Sequence, residues 1–185
     1  MQKVVIVHCW DGYPDYCWYS QTKKELQEKG FEVLVPEMPE TGTPNLTLWL
    51  PTLQALASEP NESLHFVGHS AGCITILRYL EQLKDSQKIG KVILVAGFTD
   101  DLGYEELKNF FTTPILFEKI KQRAEHFVAI HSDNDPFVDL KYGTIFKEKL
   151  GADLIIKNKM GHFSGERDKE GSCVSLPEVS EALTR

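Results

Sequence analysis

The chain has 185 residues, 42% hydrophobic and 25% charged, a length and balance that suit one domain (residues 1–185) with a core large enough to need no staples. Its formal net charge of −7 and the absence of any lysine or arginine stripe argue against a nucleic-acid binder. No apolar run approaches the roughly 20 residues that a membrane span needs.

The opening Met1-Gln2-Lys3 leads into Val4-Val5-Ile6-Val7, too short an apolar run for a signal-peptide core, and reads as a buried first strand, Val4–His8. A charged amphipathic pattern from Ser20 to Lys29 predicts a helix closed by Gly30, then a strand over Phe31–Val35. A second helix is predicted over Leu48–Ser58, with Pro51 acceptable only in its first turn. Strands follow at Leu64–Val67 and Lys91–Ala96, separated by a helix over Ala71–Leu83. After an excursion from Gly97 to Glu125 come a strand at Phe127–His131, a helix at Leu140–Leu150 capped by Asp139 and ended by Gly151, and a strand at Leu154–Lys157. Ser175-Leu176-Pro177-Glu178 resembles a capping box opening a last helix through Leu183. Most of these apolar runs are continuous, as in strands covered on both faces. The expected architecture is α/β: a six-stranded parallel sheet with helices on both faces and no cap domain.

Four cysteines, Cys9, Cys17, Cys73 and Cys173, show no C-x-x-C spacing, so reduced thiols in a cytoplasmic protein are expected, with a Cys9–Cys17 bridge left open. No Cys or His pair has metal-ligand spacing, and no cofactor is called for. A dinucleotide-binding dehydrogenase is excluded because no G-x-G-x-x-G follows the first strand.

Gly68-His69-Ser70-Ala71-Gly72 lies between strand and helix, the context of the nucleophile elbow of α/β-hydrolases. A serine hydroxyl needs a base within reach, usually a histidine oriented by a carboxylate, in the chain order Ser, Asp or Glu, His. His8, His65, His126 and His131 fall in or beside strands, and His69 belongs to the elbow itself, pointing away from the attacking oxygen. His162 alone occupies a glycine-containing loop after the last strand. The carboxylate belongs in Ser132-Asp133-Asn134-Asp135-Pro136-Phe137-Val138-Asp139. Asp135, held extended by Pro136, is favoured; Asp133 is the alternative, and Asp139 reads as a helix cap. The backbone N–H of Ala71 is the first oxyanion donor, and that of Trp10, after the first strand, the candidate second. For the substrate pocket, Phe98, Phe111 and Phe117, with Phe110, Leu116, Trp10, Tyr13, Tyr16 and Trp18, predict an apolar rim for small, partly apolar acyl groups.

The chain resembles the retinoblastoma-binding protein 9 family of small serine hydrolases, which has bacterial members. The resemblance runs nearly end to end, through Val5-Ile6-Val7, Lys23-Lys24-Glu25-Leu26, Met38-Pro39, Trp49-Leu50-Pro51, the elbow and Asp101-Leu102-Gly103. It continues through Phe111-Thr112-Thr113-Pro114, Glu118-Lys119-Ile120-Lys121, Ser132 to Phe137 and Gly161-His162-Phe163. The resemblance implies a compact hydrolase core and a triad of Ser70, Asp135 and His162. Two departures stand out: Cys9 replaces the glycine usual after the first strand, and L-x-C-x-E is absent, so retinoblastoma protein is not an expected partner. The expected activity is hydrolysis of a small ester, thioester or amide through an acyl-enzyme, with no nucleic-acid or membrane partner. The alternative is a binding or regulatory protein on a hydrolase fold.

Overall fold

A computed structural model describes residues 1–57, 59–164 and 173–185. Six strands, β1 (Lys3–Val7), β2 (Glu32–Leu34), β3 (Leu64–His69), β4 (Ile89–Val95), β5 (Ala124–Ser132) and β6 (Asp153–Lys157), form one sheet in the order β2-β1-β3-β4-β5-β6. Every pairing is parallel. The helices are α1 (Tyr19–Glu28), α2 (Leu46–Ala57), α3 (Ala71–Gln82), α4 (Phe117–Lys121), α5 (Lys141–Leu150) and α6 (Pro177–Thr184), with a 3-10 helix at Glu105–Phe110.

Side chains of a strand alternate between faces, and the two halves of the core follow that alternation. Val5 and Val7 of β1 join Trp49 and Leu53 of α2, the apolar face of α3 and Phe146 of α5 on one side. Val4 and Ile6 meet Tyr19 and Leu26 of α1 and Val179 and Leu183 of α6 on the other. The β1–β2 crossover runs toward one sheet edge and the β3–β4 crossover toward the other, so right-handed connections put α1 and α3 on opposite faces.

Three local expectations differ from the structure. Pro51 is the sixth residue of α2, not part of its first turn. Asn45 starts this helix two residues earlier than expected, its side chain accepting from the N–H (2.9 Å) and hydroxyl (2.7 Å) of Thr47. The carbonyl of Leu48 is engaged by the Thr52 hydroxyl at 2.9 Å, beside the site where proline removes a donor. The expected helix end at Ser58 lies outside the described residues. The capping box at Ser175 does not form: α6 begins at Pro177, its N-cap Leu176 supplies no side-chain bond, and Glu178 pairs instead with Lys157. By contrast, Asp139 accepts from the first N–H of α5 at 2.7 Å, and Gly151 ends that helix at φ +72°. Cys9 and Cys17 form no bridge. Among the described residues no helix is long and apolar enough to cross a membrane.

Candidate active site

The site lies at the carboxyl ends of β1 and β3, where the chain leaves the sheet in opposite directions, the place where open α/β sheets bind ligands. Between β3 and α3, Ser70 adopts φ +54° and ψ −117°, a strained conformation for a residue with a side chain. Its N–H is anchored to the Val95 carbonyl of β4 at 2.9 Å. The glycines on either side answer a packing demand. A Cβ on Gly68 would stand 2.7 Å from the Cys73 nitrogen, and one on Gly72 only 2.1 Å from the Val7 carbonyl oxygen. Helix α3 therefore packs hard on β1 and aims its first turn, beginning at Ala71, at the serine. The leading N–H groups of a helix have no intrahelical acceptor, so that of Ala71 is available to a ligand, whereas Cys73 N–H already donates to the Ser70 carbonyl at 2.9 Å.

The loop after β1 is fixed residue by residue. His8 Nδ1 donates to the Cys9 carbonyl at 2.8 Å, and its Nε2 accepts from Met38 N–H at 3.0 Å. Burial holds this imidazole below the usual histidine range, in keeping with that neutral pattern. Cys9 N–H donates to the Tyr19 hydroxyl, Asp11 N–H to Thr41 and Gly12 N–H to Cys9. The indole of Trp10 donates to Gly42 at 3.0 Å, while its backbone N–H has no acceptor among the described residues.

At the other side, the turns after β5 and β6 are laced together. Ser132 Oγ accepts from Met160 N–H (2.9 Å), Asp133 Oδ1 from Lys159 N–H (2.7 Å) and Asn134 Oδ1 from Gly161 N–H (2.9 Å). The next residue, Asp135, takes His162 Nδ1–H at 2.8 Å on Oδ2. Its Oδ1 accepts from the N–H groups of Phe137 and Val138 at 2.9 and 3.0 Å, so the carboxylate is locked at both oxygens. The competition between aspartates thus has a geometric outcome: Asp135 reaches His162, whereas Asp133 ties down the loop that carries it. Phe137 stands edge-on over the His162 ring, centroids 5.3 Å apart.

Ser70, Ala71, Trp10 and His162 line one cavity of about 230 Å³. Among the described residues no hydrogen bond joins the Ser70 hydroxyl to His162, and the two meet as walls of the same cavity. Such contacts in unliganded sites are commonly long and tighten around substrate. Of the predicted aromatic rim, Phe98, Trp10 and Tyr16 line this cavity. Phe111 and Phe117 do not; both are half-buried against the core on the α2, α3 and α5 face, Phe111 with its ring 6.0 Å from that of Phe98, so their apolar surface is covered by the core and not offered to the mouth. Phe110 and Trp18 are fully buried core, and Leu116 and Tyr13 lie exposed. Beside Phe137, already placed over His162, the apolar wall is completed by Leu102, Tyr104, Leu107 and Val138. Sequence reading missed these four because the excursion that carries three of them has no long periodic pattern. The Asp101-Leu102-Gly103 motif was the available signal.

This hydrolase-type turn within this sheet topology invites comparison with known proteins. The serine hydrolase family matches residues 4–185. The chain belongs to that family. It is 32% identical over 184 residues to YdeN of Bacillus subtilis, covering 99% of this chain and 95% of YdeN. To the serine hydrolase RBBP9 of Rattus norvegicus it is 32% identical over 149 residues, 79% of this chain and 77% of the relative. The crystal structure of the B. subtilis ydeN product superposes with a TM-score of 0.91 at 31% identity, covering 100% and 97% of the two chains. Est1E from Butyrivibrio proteoclasticus, solved with ferulic acid, shares the fold at a TM-score of 0.75 and 14% identity, over 99% and 86%. The family and the compact α/β-hydrolase fold are those expected from the motifs.

Proposed function

We propose that this serine hydrolase cleaves a small carboxylic ester, thioester or amide with a largely apolar acyl group, through Ser70, His162 and Asp135. The observation that carries the reading is the locked Asp135–His162 pair opening onto the same cavity as the strained Ser70. With Nδ1–H donated to Asp135, the neutral His162 has its basic lone pair on Nε2. That nitrogen takes the Ser70 proton as Oγ adds to the substrate carbonyl carbon. The N–H groups of Ala71 and Trp10 hold the oxyanion, a contribution of about 2.7–4 kcal/mol per donor in comparable enzymes. The imidazolium, stabilised by Asp135, then protonates the leaving group. Water, deprotonated by His162, attacks the acyl-enzyme and restores Ser70. The wall of Phe98, Leu102, Leu107 and Val138 favours an apolar acyl chain over a charged one, since a buried charge there would lack partners.

Fluorophosphonate labelling tests the nucleophile, and a panel of p-nitrophenyl esters and aminoacyl amides tests the substrate class. Ser70→Ala is expected to lose both labelling and turnover while keeping the wild-type melting temperature. Turnover at the wild-type rate in that variant would sink the assignment, and a wild-type protein that labels but turns nothing over would favour a binding role.

A further inference from the structure

Two buried polar groups beside the site have no part in that mechanism, the imidazole of His69 and the phenol of Tyr19. Burial holds the His69 imidazole well below the ordinary histidine range and the Tyr19 phenol well above its own, so both are neutral. Neutrality fixes the sense of every bond they make. A carbonyl only accepts, so His69 Nε2 carries the proton and donates to the His162 carbonyl at 2.7 Å. His69 Nδ1 is then the lone-pair nitrogen and accepts from the Tyr19 hydroxyl at 2.7 Å. The Tyr19 oxygen in turn accepts from the Cys9 N–H at 3.1 Å. One directional chain thus links the loop after β1, the start of α1, the last residue of β3 and the loop after β6.

The two ends of this chain are where the chemistry needs accuracy. At one end, Cys9 precedes Trp10. At the other, Lys159 and Phe163 on either side of Gly161–His162 have positive φ (52° and 55°), a backbone that persists in residues with a side chain only where its surroundings over-determine it. Asp135 holds the side chain of His162, and His69 holds its carbonyl, so residue 162 is gripped at two points.

We propose that Tyr19 and His69 are positioning residues for catalysis, holding the oxyanion loop at Cys9–Trp10 and the backbone of His162 in register through the Cys9–Tyr19–His69–His162 hydrogen-bond chain. The proposal rests on the triad of Ser70, His162 and Asp135, and it goes beyond that triad by assigning roles to residues that touch no reacting atom. Displacement of a reacting group by about 1 Å can cost on the order of 100-fold in rate, so the effect falls on kcat rather than on substrate binding.

Steady-state hydrolysis of a p-nitrophenyl ester by the full chain tests it with Tyr19→Phe, His69→Asn and His69→Gln. The asparagine amide sits where Nδ1 sits and keeps the Tyr19 bond but cannot reach the His162 carbonyl. The glutamine amide reaches as far as Nε2 and can donate to that carbonyl. Tyr19→Phe and His69→Asn are expected to lose about 10- to 100-fold in kcat with KM within about twofold. His69→Gln is expected to recover much of the loss. Three variants all within about twofold of wild-type kcat, or Asn and Gln falling alike in step with melting temperature, would overturn the positioning role. Should neither His69 variant fold, the kcat of Tyr19→Phe decides alone. A wild-type chain that fluorophosphonate does not label, or a Ser70→Ala variant that still turns over, would instead be a failure of the triad reading.

Discussion

Asp133 and Asp135 are two residues apart, chemically identical, and bound to opposite ends of the same short loop. The Asp135 carboxylate meets the imidazole of His162, whereas the Asp133 carboxylate accepts from the backbone N–H of Lys159. Replacing a triad carboxylate by its amide leaves shape intact but favours the wrong imidazole tautomer, at a cost of about 10⁴-fold in kcat in the serine-protease precedent. Asp135→Asn is expected to lose activity on that scale with little change in melting temperature. Asp133→Asn should lose far less, and stopped assays of both variants on one ester would show it; equal losses would contradict this division of roles between the two aspartates. The sequence narrowed the carboxylate to this turn and favoured Asp135 through Pro136, but left Asp133 open, because Asp/Asn/Pro runs have one appearance whether they cap a turn or serve a base. Ser132 and Asn134 were hidden in the same way. Their partners, Met160 and Gly161, come into reach only when β5 pairs with β6.

Among elements, strand β3, the elbow and helix α3 were legible almost to the residue. A glycine on each side of the serine is demanded by contacts within this one unit and with β1. The wall of the cavity was legible only in part, at Phe98, Trp10 and Tyr16. It is secured by Arg78, buried on α3, which donates to the carbonyls of Phe110 (2.9 Å), Thr113 (2.6 Å) and Pro114 (3.3 Å) and pairs with Glu81 at 2.8 Å. Glu81 also accepts from Leu116 N–H at 2.8 Å. Asn109 adds a second latch, accepting from Leu46 N–H at 2.7 Å and donating to the Pro44 carbonyl at 3.1 Å. The resemblance over Phe111-Thr112-Thr113-Pro114 thus has a physical content: its carbonyls are the far side of a guanidinium clamp. Breaking a buried ion pair from one side costs about 3–5 kcal/mol. Arg78→Met is expected to destabilise the fold on that scale in urea melts. It should also raise KM for an apolar ester, since Leu102, Tyr104 and Leu107 lie on the segment it anchors. An unchanged KM would place the clamp outside substrate binding.

Over the whole molecule, acid sensitivity follows from histidines buried neutral. His131, at the end of β5, is 1% exposed, and neither ring nitrogen has a hydrogen-bond partner among the described residues. Burial brings its pKa down to about 4, and burial does the same to His65, whose Nδ1 accepts from Lys91 N–H at 2.8 Å. An unfolded histidine titrates near 6.5. Between pH 6.5 and 4 the unfolded chain therefore holds more protons than the folded one, and stability falls as pH falls through that window. The His131 contribution alone is on the order of 3 kcal/mol by pH 4. Melting temperatures measured from pH 7.5 to 4.5 should drop, and less steeply in His131→Leu; a parallel drop in that variant would show that His131 is not a source. This histidine was read from sequence only as a strand residue, since nothing local tells a solvated strand-end imidazole from one sealed against Phe146.

By itself the sequence determined the class of fold and narrowed the candidates for the reacting groups to the elbow serine, one loop histidine and one acidic turn. Apolar runs of strand length, helical periodicity and the elbow's glycines are local patterns, dictated by sterics within a few residues. Tertiary structure decided which aspartate faces His162, which aromatics reach the cavity rather than the core, and how Tyr19 and His69 join two distant loops. Those outcomes depend on atoms that meet only once the sheet is assembled. Hydrogen bonds and packing act over a few ångströms, whereas Tyr19 and His69 lie 50 residues apart in the chain and His69 and His162 lie 93 apart.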